Sequence, residues 1–179
     1  MIESVKKSKR LILMVGIPGS GKSTWLANHE ATLSPKHSII SRDAIRFSLL
    51  KEGEEYFSKE KEVWREYVSQ AKKSLAENDD TVLDATHLNE ASRGKILRAL
   101  GTSLKDVAVI AVVVNPGLEM AIAQNNTRKG RSFVPVSEIK KMYSSFTRPS
   151  FAEGFDKIYY VIKGETSTHF LEMVDEYEL

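Results

Sequence analysis

Gly16-Ile17-Pro18-Gly19-Ser20-Gly21-Lys22-Ser23 is the stretch that decides the fold. It fits the spacing G-x-x-x-x-G-K-[ST] at every fixed position. Glycines let the backbone wrap tightly and turn successive N–H groups inward, toward the oxygens of an anion. A helix starting near Lys22 adds the positive end of its dipole. In this spacing the lysine reaches the β- and γ-phosphates of a nucleoside triphosphate. The serine hydroxyl ligates magnesium, which neutralises charge as a phosphoryl group leaves. The stretch therefore predicts bound ATP and Mg2+. Gly16, Pro18, Gly19, Ser20, Gly21, Lys22, Ser23 and Thr24 form the phosphate cradle, and Ser23 is the metal ligand.

The flanks agree with that reading. Leu11–Val15 is a short, continuous apolar run, which suits a buried parallel strand. Lys22–His29 reads as a helix opening under the loop. A chance glycine turn would have neither neighbour.

Further along, short apolar runs alternate with helical patterns. Ser38–Ile40, Thr81–Leu83, Val107–Val114 and Lys157–Ile162 read as strands. Ala44–Leu50, Glu54–Glu77, Asn89-capped residues up to Leu100, Leu118–Asn126 and Val136–Phe146 read as helices. In the long helix, Phe57, Val63, Tyr67, Ala71 and Leu75 mark the apolar face, and Gly101 is a stop for the helix before it. The tail to Leu179 reads as a short helix or loose chain. Alternation of this kind predicts an α/β fold: a parallel sheet of about five strands, helices on both faces and a short lid.

Size and composition bound the rest. A chain of 179 residues with 41% hydrophobic and 28% charged residues reads as one soluble domain over residues 1–179. A net charge of +2 does not announce nucleic-acid binding, so any such surface must be local. The chain has no cysteine, which excludes disulfides, thiolate metal sites and a cysteine nucleophile, and fits a reducing cytoplasm. No apolar run approaches the ~20 residues of a membrane helix. The basic lead-in Lys6, Lys7, Lys9 and Arg10 reads as a solvated approach to the first strand.

In open parallel sheets, ligands bind outside the carboxyl ends of the strands. Asp43 and Asp84 stand at two such ends. An acid there binds magnesium, takes a proton from an attacking hydroxyl, or merely caps a helix or turn. Arg46 lies three residues beyond Asp43, a spacing that can share one face of a helical turn, as part of a site or as an ordinary surface ion pair. Arg128, Lys129 and Arg131 surround Gly130, as a closing basic lid or as a solvated charge cluster. Arg93 and His87 read as surface or turn residues, and Trp25 and Trp64 as packing residues.

Taken in order, these residues resemble the P-loop polynucleotide 5′-kinases. The likeness rests on Gly16–Thr24 with Trp25, Ser41-Arg42-Asp43 with Arg46, and Asp84-Ala85-Thr86 with Asn89 and Arg93. It continues through Asn126 to Pro135, Met142-Tyr143, and Phe146–Phe155 in the form Phe-x-x-Pro-x-x-x-Glu-Gly-Phe. The resemblance implies transfer of the ATP γ-phosphate to the 5′-hydroxyl end of DNA or RNA. Asp43 would be the general base, and Arg46 would bind the acceptor's nearest phosphate. Lys22 and a lid arginine, Arg128 or Arg131, would stabilise the moving phosphoryl group, and Lys129 is a third candidate. Asp84 would help order the magnesium shell or the acceptor pocket, and Thr86 would line that pocket. One position departs from the pattern: Asn125 stands where such lids carry an arginine. A small-molecule kinase for a sugar, nucleoside or antibiotic hydroxyl on the same scaffold is the competing expectation, because one fold hosts many functions.

Overall fold

The computed structural model describes residues 7–163 and 169–173. Their centre is a six-stranded sheet in the order β2-β3-β1-β4-β5-β6. The strands are β1 (Lys9–Val15), β2 (His37–Ser41), β3 (Asp80–Asp84), β4 (Val107–Val114), β5 (Lys157–Lys163) and β6 (His169–Met173). The first five are mutually parallel, and β6 runs antiparallel to β5. The strand at His169–Met173 corrects the expectation of a helical or loose tail over those residues; the rest of that expectation, at 164–168 and 174–179, lies outside the described residues. An antiparallel return needs only a short connection, so it can follow β5 where a parallel strand would need a crossover.

β1 sits at the middle of the sheet and is buried on both faces. Leu11, Leu13 and Val15 point into one core, together with Ile45, Val63, Tyr67, Leu75, Ile96 and Leu100. These come from α2 (Arg42–Leu49), α3 (Glu60–Glu77) and α4 (Glu90–Leu100). Ile12 and Met14 point to the other face, where Trp25 and Leu26 of α1 (Lys22–His29) cover them. The continuous apolar run is thus two alternating sets, one for each face. A third cluster joins Ile17 of the phosphate loop to Leu88, Ala121 of α5 (Leu118–Asn126) and Ile139 of α6 (Val136–Ser144).

Two helix boundaries differ from the sequence reading. The long helix begins at Glu60 rather than Glu54. The residues before it turn at Gly53, where φ is +81°. The Glu54 carboxylate accepts from the Lys51 N–H at 2.7 Å, which closes the turn. Phe57 therefore leaves the expected apolar stripe and is 64% exposed. The other change is at α2, which starts at Arg42 with Ser41 as its cap, the Ser41 hydroxyl accepting from the Ala44 N–H at 3.3 Å. Asp43 is consequently inside the helix and is not its cap. Asn89 caps α4 as expected, in a reciprocal arrangement with Ser92.

Candidate active site

The site is assembled at the carboxyl ends of β1, β3 and β2. The phosphate loop follows β1, Asp84 closes β3, and Asp43 opens the helix after β2. Ser41 and Asp84 are register partners, so Asp84 lies between the loop and the Asp43 strand. The loop is tied to that neighbour by its backbone, with the Gly16 N–H donating to the Thr86 carbonyl at 3.0 Å.

Gly19 has φ +79°, and a Cβ there would stand 2.3 Å from the Ala121 carbonyl oxygen. Only glycine allows α5 to pass this close beneath the loop. Gly21 caps α1 at φ +94°, so the N–H groups of the first helical turn open toward the loop. Lys22 curls over the loop, its Nζ donating to the carbonyls of Gly16 at 2.7 Å and Ile17 at 3.1 Å. Burial pushes Lys22 down to about 8; Asp84 and Asp43 oppose the shift and Arg128 adds to it. A triphosphate brought to this loop meets a half-buried cation, where charge attraction is stronger than in bulk water. Ser20 is buried, Pro18 is half-buried and Thr24 is exposed.

The Ser23 hydroxyl lies 3.5 Å from Asp84 Oδ2. Burial, and then the Asp43 carboxylate, raise Asp84 above its ordinary value, while Lys22 pulls it down. Among the described residues no group of three or more His, Cys, Asp or Glu side chains forms a metal cage. The fit is to a hard cation that takes one hydroxyl from the protein and most other oxygens from phosphates and water, which is how Mg2+ binds. Ser23 would hold it, and Asp84 would order its water.

Asp43 is open to solvent, with its side chain 63% exposed, whereas Arg46 is almost fully buried. Arg46 Nη1 donates to Asp43 Oδ1 at 2.5 Å, and the Tyr56 hydroxyl donates to the same oxygen at 2.8 Å. Arg46 Nη1 also donates to the Tyr56 oxygen at 2.9 Å, and Nη2 to Glu60 at 2.9 Å. The guanidinium lies 4.4 Å from the Tyr56 ring centre. Glu60 binds Arg42 as well. Burial and the Asp43 carboxylate push Tyr56 up to about 12, so its hydroxyl stays a donor. Oδ2 of Asp43 accepts no hydrogen bond from the described residues.

Tyr56 and Glu60 were not singled out in the sequence. They lie across a turn from α2, outside any spacing that links them to Asp43. Arg128 is half-buried, Nη1 is 3.5 Å from the Ser132 carbonyl, and its charge acts on both Lys22 and Asp84. Lys129 is exposed, and the side chain of Arg131 is outside what is described. Asn125 is fully buried and fastens the two ends of this loop. Its amide donates to the Val134 carbonyl at 2.8 Å, and its oxygen accepts from the Val134 N–H at 3.1 Å.

Two expectations are corrected. Arg93 is not a surface residue: it is fully buried and paired to Glu153, Nε to Oε2 at 2.6 Å and Nη2 to Oε1 at 2.8 Å. Its role is to fasten the Thr147–Gly154 segment to α4. Nor is His87 a surface residue. It is buried, with Nδ1 2.8 Å from the Met14 carbonyl and Nε2 3.1 Å from the Tyr67 hydroxyl. A polar side chain reads as exposed until its partners are known. These partners are distant in the chain.

A largely parallel sheet with the phosphate loop after β1, Asp84 at the end of β3, Asp43 just after β2 and a basic loop after α5 defines a P-loop NTPase of the kinase type. The chain belongs to the AAA-domain family AAA_33, which matches residues 11–149.

Solved structures share this fold. A chain of the Pnkp1/Rnl/Hen1 RNA repair complex is 20% identical with a TM-score of 0.66, covering 81% of this chain and 46% of that one. Kti12 of Chaetomium thermophilum, in complex with ADP-AlF3, is 15% identical with a TM-score of 0.64, covering 88% of this chain and 92% of that one. A gluconokinase from Sinorhizobium meliloti 1021 is 19% identical with a TM-score of 0.54, covering 87% and 83%. The chain spans under half the length of the RNA repair chain it matches. No described helix is long and apolar enough to cross a membrane.

Proposed function

We propose that the chain transfers the γ-phosphate of ATP to the 5′-hydroxyl end of DNA or RNA. The observation that carries this reading is the exposed Asp43 carboxylate, held by one oxygen and open at the other, at the strand end next to that of Asp84 beside the phosphate loop. A sugar hydroxyl is a weak nucleophile and needs a positioned base. The acceptor oxygen forms a bond to the γ-phosphorus, the bond to the β–γ bridging oxygen breaks, and ADP leaves. The acceptor proton passes to Asp43 Oδ2. Lys22 and Arg128 balance the charge on the phosphoryl oxygens. Bound Mg2+ would supply further charge neutralisation at the phosphates. Likeness of fold to a chain of the RNA repair complex supports the choice of acceptor.

A second reading is favoured by Arg46. The residue is only 5% exposed, and its guanidinium is held by Asp43, Tyr56 and Glu60, so it offers little to an acceptor phosphate. An uncharged sugar or other small alcohol would not need that grip, and the gluconokinase shares the fold.

Incubation with labelled ATP and 5′-hydroxyl DNA and RNA oligonucleotides separates the two. Label transfer that weakens steeply with added salt supports a polynucleotide acceptor. Transfer to small alcohols alone supports the second reading and removes the first.

A further inference from the structure

The turn between α2 and α3 places aromatic side chains beside the candidate base. Phe57 is 64% exposed, the largest exposure among the large hydrophobic residues described as exposed. Its ring packs edge-on against Tyr56, with ring centres 4.7 Å apart, and Phe47 meets Tyr56 from another side at 6.1 Å. The Arg46 guanidinium lies 5.7 Å from the Phe57 ring centre and 2.5 Å from Asp43. Phe57 and the Asp43 carboxylate therefore flank the same guanidinium, and both are open to solvent.

A single exposed phenylalanine is ordinary on a protein surface. This one is held in place by two neighbours, a tyrosine edge and a buried guanidinium, that also fix the base. Its exposed ring surface has no function in the fold: it left the apolar face of α3 when that helix began at Glu60. A solvent-facing ring beside a cation suits the stacking of another flat ring, as in single-strand nucleic-acid sites.

We infer that Phe57 is a stacking shelf for the nucleobase of the acceptor's terminal nucleotide, which makes the ring of that base part of what the site selects. The inference rests on the polynucleotide reading above and names the part of the acceptor that the chain grips. An aliphatic sugar has no flat ring to place on the shelf, so the shelf also separates a polynucleotide end from a sugar acceptor.

The test compares two 5′-hydroxyl oligonucleotides that differ only in the terminal residue, one with its base and one abasic, using the full chain and its Phe57→Ala and Phe57→Trp variants. The expected result is an acceptor KM about tenfold lower for the base-bearing end in the wild type, a preference that Phe57→Ala removes and Phe57→Trp restores. Equal preference in the wild type and Phe57→Ala overturns the shelf while leaving polynucleotide transfer intact. A wild type that phosphorylates neither oligonucleotide but does phosphorylate small alcohols overturns the polynucleotide reading and the shelf with it. A Phe57→Ala protein that raises the KM for ATP as much as for the acceptor also overturns it, since that loss would come from the fold.

Discussion

Arg46 Nη1 and the Tyr56 hydroxyl converge on one oxygen of Asp43, at 2.5 Å and 2.8 Å. Two donors on Oδ1 fix the plane of the carboxylate and leave Oδ2 to face solvent. Glu60 holds the far side of the same guanidinium at 2.9 Å, so the cluster is braced from α3. A carboxylate oriented in this way is prepared for a reacting proton without further ordering.

Replacing Asp43 with Asn tests that arrangement directly. The amide oxygen can still accept from Arg46 and Tyr56, so the local fold is retained while the basic oxygen is lost. Turnover should fall about 10²–10⁴-fold, the usual contribution of a general base. Equilibrium binding of ATP should stay close to wild type. Unchanged turnover would remove Asp43 from the chemistry.

Tyr56→Phe removes one of the two donors without removing the ring beneath Arg46. A hydrogen bond to a charged group contributes about 1.5–3 kcal/mol, so a kcat loss of about tenfold or more is expected. The KM for ATP should not move, because Tyr56 has no hydrogen bond to the phosphate loop. Separate measurement of kcat and of the ATP KM checks this, and a loss confined to the ATP KM would contradict it.

Gly19→Ala should abolish ATP binding. Its Cβ would stand 2.3 Å from the Ala121 carbonyl oxygen and 3.2 Å from Asn125 Cβ, and the backbone φ of +79° is strained for alanine. To relieve the clash, the loop or α5 must move, and α5 carries the Asn125–Val134 clasp at the base of the basic loop. Calorimetric titration with ATP reads the loss, and wild-type affinity would show that the loop tolerates the side chain.

The phosphate loop and the parallel sheet were legible because both are local patterns: a glycine spacing, and apolar runs ended by turns. Asp43 and Asp84 were legible as strand-end acids, although the sequence left open whether Asp43 caps a helix. Ser41 occupies that cap, which leaves the Asp43 side chain to Arg46 and Tyr56. Tyr56 and Glu60 were not legible, since their bonds to Arg46 cross a turn whose shape depends on Gly53. Arg93 and His87 were misread for a related reason. A buried polar residue differs from an exposed one only by its partners, and theirs are Glu153, Tyr67 and the Met14 carbonyl. The return strand His169–Met173 has no periodicity that distinguishes it from a short helix.

Glu153→Gln tests the buried pair with Arg93. The two side chains are 0% and 6% exposed, so solvent cannot take over the lost charge. Removing one partner of a buried pair costs about 3–5 kcal/mol, and the retained amide should place the loss near the lower end. Urea unfolding should show a lower midpoint, together with loosening of the Thr147–Gly154 segment in hydrogen exchange. A stability equal to wild type would mean that the backbone bonds from Arg93 to His87 and Thr147, at 3.1 Å and 3.0 Å, suffice alone.

His87 supplies a pH dependence with a defined sign. Burial pushes it from 6.5 down to about 4, while the Met14 carbonyl partly opposes the shift. Between those values the unfolded chain binds a proton that the folded chain refuses. The unfolded state therefore holds more protons there, and stability falls as pH drops from 6.5 toward 4. The shift corresponds to about 3 kcal/mol at most across that window. Asparagine tolerates the positive φ of +42° at this position, so His87→Asn changes the titration with little backbone strain. The variant should be less stable than wild type near neutrality by about 1–3 kcal/mol, from the lost bonds to Met14 and Tyr67. That deficit should shrink as the pH approaches about 4.5, because only the wild type carries the refused proton. Denaturant unfolding of both proteins across this range reads the difference, and a deficit that stays constant with pH would show that His87 does not contribute to the acid loss.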